Sequence, residues 1–158
     1  MPYYVDGDVK LTQSLAIMRY IARKHNLDGT TEQEKNDISL MEQQINDMNR
    51  AMVLLTYDPN CAKLKEDYIK TLPDSLKLVE NFIRDRAFVA GTNVSYVDFW
   101  TYEFLNKVRV LLPDIFGKFP ALQKYVDRVG SLRAIAAYNK SHAPQTFNAA
   151  FANWNGTF

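Results

Sequence analysis

A long apolar stripe near the middle of the chain sets the strongest limit on the fold. Between about residues 32 and 57, apolar side chains recur at steps of three, four, three, four and three: Ile38, Met41, Ile45, Met48, Met52 and Leu55. This spacing places one apolar face along a single long helix. Because such a face needs a close partner, the stripe predicts a helical bundle in which the partner is an antiparallel helix or a second copy of the chain.

Start and stop signals predict further helices on both sides of this one. They fall at about Ser14–Lys24, Ala62–Arg84, Ser95–Leu111, Pro120–Gly130 and Ser131–Tyr138. Thr31 with Glu34, and Ser95 with Asp98, have the spacing of capping boxes. Pro73 lies inside the second of these helices and is expected to kink or split it.

Two segments outside the helices have no regular periodicity. Residues 88–91, with the sequence Phe-Val-Ala-Gly, are predicted to form an extended connector. From Ser141 to Phe158 the helical pattern dissolves, although three aromatic residues suggest that this tail packs on the rest of the protein: Phe147, Phe151 and Trp154. The whole pattern therefore predicts a mostly α fold.

The first seventeen residues predict a β-hairpin that leads into a helix. A β-type run at residues 3–5 is followed by the turn signal Asp6-Gly7 and by a second alternating run at residues 9–11. The segment from Thr12 to Ser14 then begins a helix, with a hydroxyl available to cap its free N–H groups. Those N–H groups and the helix dipole favour a carboxylate, so this helix start is a candidate anion site. Because a lone hairpin is only marginally stable, the chain is expected to lack its beginning.

Composition excludes several classes of function. The net charge of +1 gives no reason to expect nucleic acid or an anionic membrane as a partner. No apolar run approaches the roughly 18 residues of a membrane-spanning helix. With one cysteine, Cys61, the chain has no internal disulfide and a reducing cytoplasm is expected. Because the chain has only two histidines, His25 and His142, and one cysteine, no metal site is expected.

Four blocks of sequence resemble the glutathione transferases, and their details resemble the mu class. The match covers essentially all 158 residues. The blocks are Pro2–Lys24 with its Leu11-Thr12-Gln13-Ser14 core, Glu42–Asp47 with Tyr57-Asp58-Pro59, Phe88–Gly91 with Tyr96–Phe99, and Phe119–Leu122. The resemblance implies that residues 1–25 are the C-terminal ββα part of a thioredoxin-like glutathione-binding domain. Residues 26–30 are then a linker, and residues 31–158 form the all-helical C-terminal domain.

The resemblance also implies an activity, conjugation of the glutathione thiol to electrophilic compounds in detoxification. Glutathione is the co-substrate, no cofactor is expected, and the partners are glutathione, apolar electrophiles and a second copy of the chain in a cytoplasmic homodimer. In this class the catalytic tyrosine lies on the first strand, and nothing precedes Met1. The chain alone is therefore expected to be weak or inactive. The alternative is a non-catalytic helical ligand-binding or dimerisation module that uses the apolar stripe and the open sheet edge at Tyr3–Val5.

The resemblance assigns five residues to glutathione. Met1 pairs through its backbone with the cysteinyl part, and Pro2 matches the cis-proline that precedes the hairpin. Gln13 and Ser14 match the pair that binds the γ-glutamyl end. Asp47 matches an acid that reaches across the dimer to the γ-glutamyl amine of the other subunit's glutathione.

The resemblance assigns a second set to the electrophile and to the dimer interface. Tyr57 matches an auxiliary catalytic phenol that can assist addition to the second substrate. Arg19 and Glu42 match an interface charge pair, and Ser39 stands where a further acid is expected. The pocket residues are Asn46, Asn49, Arg50, Val53, Tyr57 and Phe147, a more polar set than is typical for aromatic electrophiles.

Overall fold

The computed structural model describes residues 2–142 and 147–156. These residues form one hairpin and seven helices. The strands are β1 (Tyr3–Asp6) and β2 (Val9–Thr12), and the helices are α1 (Ser14–Lys24), α2 (Glu32–Thr56), α3 (Cys61–Ile83), α4 (Tyr96–Leu111), α5 (Pro113–Phe116), α6 (Pro120–Gly130) and α7 (Arg133–Ser141). The mostly α fold predicted from the sequence is confirmed. None of the helices in the described part has the length and apolar character that crossing a membrane requires.

The hairpin is attached to helix α1 by side-chain contacts. β1 and β2 pair antiparallel, with Tyr3 opposite Thr12. The turn lies at Gly7 and Asp8, one residue later than predicted, and Gly7 adopts a φ of 59° that suits glycine. The Asp6 carboxylate accepts a hydrogen bond from the Tyr20 hydroxyl at 3.0 Å and forms an ion pair with Lys24. These contacts attach the hairpin to the far half of α1.

The apolar stripe of α2 is buried within the chain itself. All six stripe residues are buried, and α2 packs against α3 and α4. Ala22 of α1 belongs to the same core. The stripe is therefore covered by the chain's own helices, and the hypothesis that it docks a second molecule is wrong.

Helix α3 continues through Pro73, so of the two predicted alternatives the split is wrong, and the kink stays a prediction. Buried residues flank the proline on one face of the helix, with Leu72 before it and Leu76 after it. The Thr71 hydroxyl donates to the carbonyls of Asp67 and Tyr68, at 3.2 Å each. Core packing on both sides of Pro73 keeps α3 continuous although proline removes one backbone hydrogen bond.

The segment before α4 is a tight turn and not the predicted extended connector. The backbones of Phe88 and Gly91 exchange two hydrogen bonds of 2.9 Å, and Gly91 has a φ of 103°. The N–H of Val89, inside this turn, donates to the Asp98 carboxylate at 2.8 Å. The turn is thus fixed to the first turn of α4.

The tail packs across the ends of α2 and α3. The Phe147 N–H donates to the Gly156 carbonyl at 3.1 Å, and the Asn153 N–H donates to the Thr56 carbonyl at 2.9 Å. Trp154 is buried in a small cluster with Leu55 and Cys61. The expected packing is confirmed for Trp154, whereas Phe151 is 79% exposed.

Two helix boundaries near the C-terminus differ from the prediction. Helix α7 begins at Arg133 instead of Ser131 and ends at Ser141. Helix α5 was not predicted, because four residues with Pro113 at the first helical position are too few for an apolar period to show.

Candidate functional site

Among the described residues, no side chain caps the start of α1. Gln13 is the N-cap residue, no side chain in residues 2–142 and 147–156 bonds to the free N–H groups of the first turn, and that turn has no acidic residue. The predicted hydroxyl cap is wrong, because Ser14 is already the first helical residue. Gln13 has φ 70° and ψ 115°, a sparsely populated conformation for a residue with a side chain. The exposed side chains of Gln13 and Ser14 thus flank N–H donors that can take an anion.

Pro2 directly precedes β1 and is exposed. Met1 lies outside the described residues, and so does the peptide bond that joins it to Pro2. The backbone contacts of Met1 with glutathione and the cis state of Pro2 therefore stay predictions.

A charge pair joins α1 to α2 beneath the hairpin. The Arg19 Nε donates to a Glu42 carboxylate oxygen at 2.8 Å, and a second guanidinium nitrogen binds the other oxygen. Glu42 is fully buried and also accepts from the Tyr96 hydroxyl at 2.5 Å and the Gln43 amide at 2.9 Å. The two predicted partners are thus paired within one chain. Their place at a subunit interface stays a prediction.

The environment of Glu42 keeps it charged. Burial raises the pKa of this carboxyl, but the hydrogen bonds from Arg19 and Tyr96 outweigh burial and hold the pKa below its usual value of 4.5. Burial and the adjacent carboxylate raise the pKa of the Tyr96 hydroxyl to about 12. The cluster is therefore a buried anion held by one cation and by neutral donors.

The predicted pocket residues of α2 share one face of that helix. At 100° per residue, they lie within an arc of about 100°. Asn46 and Asn49 are half-buried, Arg50 is exposed, and Val53 and Tyr57 are 39% and 37% exposed. The set is Asn46, Asn49, Arg50, Val53 and Tyr57, and we call it the α2 outer face. This face is offset from the core stripe, and its residues are half-buried or exposed.

The tail contacts the C-terminal end of the α2 outer face. The Tyr57 hydroxyl accepts a hydrogen bond from the Ala149 N–H at 3.1 Å, and the Tyr57 and Phe151 rings lie 5.5 Å apart between centroids. The Asn153 amide donates to the Asp58 carbonyl at 2.9 Å. Sequence reasoning missed these tail contacts, because they join residues more than 90 positions apart and leave no local pattern.

Phe147 was assigned to the electrophile pocket, and this role stays a prediction. Its half-buried ring lies near Gly156, where a Cβ would stand 3.5 Å from a ring carbon. The same position would meet Leu111 and Val110 of α4 at 2.9 and 3.2 Å. Phe147 and Gly156 thus close the base of the tail segment whose tip contacts Tyr57.

Asp47 lies beside the α2 outer face but lines a different surface. It borders an open groove of about 200 Å³ between α2 and α3, together with Met48 and Tyr68. The Tyr68 hydroxyl has no hydrogen-bond partner among the described residues, and burial raises its pKa. No hydrogen bond within residues 2–142 and 147–156 joins Asp47 or Tyr57 to Gln13 or Ser14. The reach of Asp47 across a dimer stays a prediction.

Metal-ligating side chains do not gather in the described part of the chain, where no group of three or more could hold a metal ion. Cys61 is buried at the start of α3. His142 stacks on Tyr138, with ring centroids 3.8 Å apart.

Comparison with known proteins identifies the family. The family model "Glutathione S-transferase, C-terminal domain" matches residues 46–142, and "Glutathione S-transferase, N-terminal domain" matches residues 1–23. Over all 158 residues the chain is 50% identical to a glutathione S-transferase of Tyrophagus putrescentiae and covers 72% of that protein. It is 41% identical to glutathione S-transferase Mu 1 of Mus musculus, over 89% of this chain and 65% of that one.

The fold gives the same result. The crystal structure of the glutathione S-transferase Blo t 8 superposes with a TM-score of 0.86 at 29% identity, over 97% of this chain and 74% of that one. A Pi-class glutathione S-transferase of Onchocerca volvulus superposes with a TM-score of 0.85 at 28% identity, over 96% of this chain and 76% of that one. The chain belongs to the glutathione S-transferase family.

Proposed function

We propose that the chain acts as a mu-class glutathione S-transferase, which conjugates the glutathione thiol to electrophilic compounds. The observation that carries the proposal is the uncapped start of α1 at Gln13 and Ser14. This helix start lies within the residues matched by the N-terminal family model. The identity to the mouse Mu 1 protein supports the class.

Glutathione has the charges that these residues suit. It is a peptide with two carboxylates and one amine. The free N–H groups of α1 and the Ser14 hydroxyl donate to the γ-glutamyl carboxylate, in the manner of other anion sites at helix starts. In a cytoplasmic homodimer, the Asp47 carboxylate accepts from the γ-glutamyl amine of the partner subunit's glutathione.

The α2 outer face supplies the electrophile site. When the glutathione thiolate, its proton lost to solvent, attacks the electrophilic carbon, a new C–S bond forms while a π bond of the electrophile breaks, and negative charge develops on the electrophile. The Tyr57 hydroxyl accepts from Ala149, so its own proton remains available to donate to that charge. Val53, one helical turn earlier, offers an apolar contact for the body of the electrophile. Val53 thus positions the electrophile, and Tyr57 stabilises the charge that develops on it.

The proposal is tested by titrating the chain with glutathione and with cysteinylglycine, the same peptide without its γ-glutamyl residue. Calorimetry gives both dissociation constants. We expect glutathione to bind at least about tenfold more tightly, since hydrogen bonds to a charged group contribute about 1.5–3 kcal/mol and about 1.4 kcal/mol is tenfold. Equal affinities, or no binding of glutathione, would contradict the proposal.

A further inference from the structure

Arg50 is a cation without an anionic partner on the α2 outer face. Within the described ranges, no carboxylate oxygen lies within 4.0 Å of its guanidinium, and it takes part in none of the hydrogen bonds found there. Helical neighbours three or four residues away can pair with an arginine. For Arg50 these are Asn46, Asp47, Val53 and Leu54. Only Asp47 is acidic, and it borders the groove towards α3.

Two amide side chains on the same face as Arg50 provide further donors. Asn46 and Asn49 lie within the same arc of α2, and their amides form no hydrogen bond within the described part of the chain. The tail sequence from residue 143 to residue 158 contains no acidic or basic side chain. The segment that covers Tyr57 therefore brings no side-chain carboxylate to neutralise Arg50.

We propose that Arg50 selects electrophiles that carry an acidic group, a carboxylate above all, with Asn46 and Asn49 as additional donors. This inference rests on the proposed function, because it assigns the α2 outer face to the electrophile. A guanidinium and amide N–H groups form charge-assisted hydrogen bonds to a carboxylate. An exclusively apolar electrophile would leave these polar groups unused at the site.

The spacing along α2 limits the shape of the substrate. Arg50 and Tyr57 are seven residues apart, which corresponds to a rise of about 10 Å along the helix. Val53 lies between them on the same face. This arrangement suits one aromatic ring, or a short unsaturated chain, lying over Val53. The acid then points to Arg50 and the reacting carbon to Tyr57.

The test compares two probes of the same shape, 4-chloro-3-nitrobenzoate and 4-chloro-3-nitrobenzamide. They are titrated into the chain without glutathione, so that no reaction occurs, and NMR follows the Arg50 side-chain Nε–H. We expect the benzoate to bind about fivefold more tightly, the effect of one solvent-accessible ion pair, and to shift the Arg50 signal. In Arg50→Gln the ratio falls to about one, and Arg50→Lys retains part of it. Lys124→Gln removes the same charge from the exposed surface of α6 and leaves the ratio unchanged.

Equal binding of the two probes to the wild-type chain would overturn the inference, and so would a preference that survives in Arg50→Gln. A glutathione titration of the same samples separates this outcome from failure of the proposed function. If glutathione binds wild type and Arg50→Gln equally while the probes show no preference, only the role of Arg50 is wrong. If the probe preference depends on Arg50 but glutathione does not bind, the anion-selective site stands and the proposed function fails.

Discussion

Helices α1 and α4 begin in opposite ways. At the start of α4, the Asp98 carboxylate is fully buried and accepts from the Ser95 N–H, the Ser95 hydroxyl, the Val89 N–H and the Tyr125 hydroxyl, at 2.6–2.8 Å. At the start of α1, no side chain among the described residues caps the helix, and both Gln13 and Ser14 are exposed. At one helix start a buried carboxylate is held by four donors of the fold, and at the other no side chain of the described residues bonds to the free N–H groups.

Under the proposed function, this difference separates residues that stabilise the fold from residues that bind glutathione. A buried carboxylate with four donors cannot accept a ligand without breaking the core. An exposed helix start with a non-glycine residue at positive φ is less stable by itself. A bound anion stabilises it by interacting with the free N–H groups and the helix dipole. Changes at α4 should therefore reduce stability, and changes at α1 should reduce glutathione binding.

The largest effect is expected for Asp98→Ala. Four donors lose their acceptor in the core, so the free energy of unfolding falls by about 4 kcal/mol, as measured by urea denaturation. Asp127→Ala is the matched control, because within the described part of the chain this exposed carboxylate bonds only to Arg109, at 3.2 Å. The control should change stability by less than about 1 kcal/mol. A similar, small loss in both variants would show that the Asp98 contacts contribute little.

Arg19→Gln is expected to have the next largest effect, because it leaves the buried Glu42 carboxylate without its cation. We expect a loss of about 3 kcal/mol near neutral pH. Glu42→Gln should cost less, since Arg19 is 48% exposed and water can solvate it.

The pH dependence of Arg19→Gln follows from Glu42. Its lowered pKa stabilises the folded chain above the ordinary value of 4.5, and this contribution is lost as the pH falls through the lower folded value. We therefore expect the difference in free energy of unfolding between wild type and Arg19→Gln to become smaller below about pH 4.5, as measured by urea denaturation at a series of pH values. A difference that does not change with pH would contradict the stabilisation of the Glu42 carboxylate by Arg19.

Much of this arrangement was predictable from the sequence. The capping boxes at Thr31 and Ser95 and the long stripe of α2 depend on local spacing, which a sequence displays directly. The contacts of Tyr57 with Ala149 and Phe151 join residues about 90 positions apart, and one of them is a backbone donor. The continuity of α3 through Pro73 depends on packing against other helices. No local pattern contains such information.

Only part of the site was predictable, because its geometry depends on more than local spacing. The resemblance assigned residues to glutathione, but the spacing at Thr12–Ser14 suggested a hydroxyl cap that the backbone does not make. Whether a serine is the cap or the first helical residue depends on the φ of its neighbour, here Gln13. That angle is set by how the hairpin delivers the chain to α1, and the residue types do not specify it.

A third helix start, at α2, gives an intermediate case. The Thr31 hydroxyl accepts from the Glu34 N–H at 3.2 Å, and the Glu34 carboxylate accepts in return from the Thr31 N–H at 3.0 Å. Because this box is exposed, Thr31→Ala should cost only about 1 kcal/mol. Hydrogen bonds from Thr30 and Thr31 lower the pKa of Glu34 to about 2, so the contribution of Glu34 is lost as the pH falls from 4.5 towards that value. Thermal unfolding over this pH range measures the contribution of Glu34 to stability. An unchanged melting temperature in Thr31→Ala would contradict a capping role for Thr31.

The smallest effect on stability is expected for Gln13→Gly. Glycine adopts the φ of 70° without strain but loses more entropy on folding, and the two effects nearly cancel. The free energy of unfolding should therefore change by less than about 0.5 kcal/mol in urea denaturation. A loss comparable to that of Thr31→Ala would show that the Gln13 side chain stabilises the fold, and the contrast between α1 and α4 would then weaken.

The dissociation constant of glutathione for Ser14→Ala tests the central claim most directly. If the uncapped start of α1 binds the γ-glutamyl carboxylate, this constant rises about tenfold while urea denaturation shows unchanged stability. If the constant is unchanged and stability falls, Ser14 serves the fold, and α1 does not differ from α4 in the way proposed.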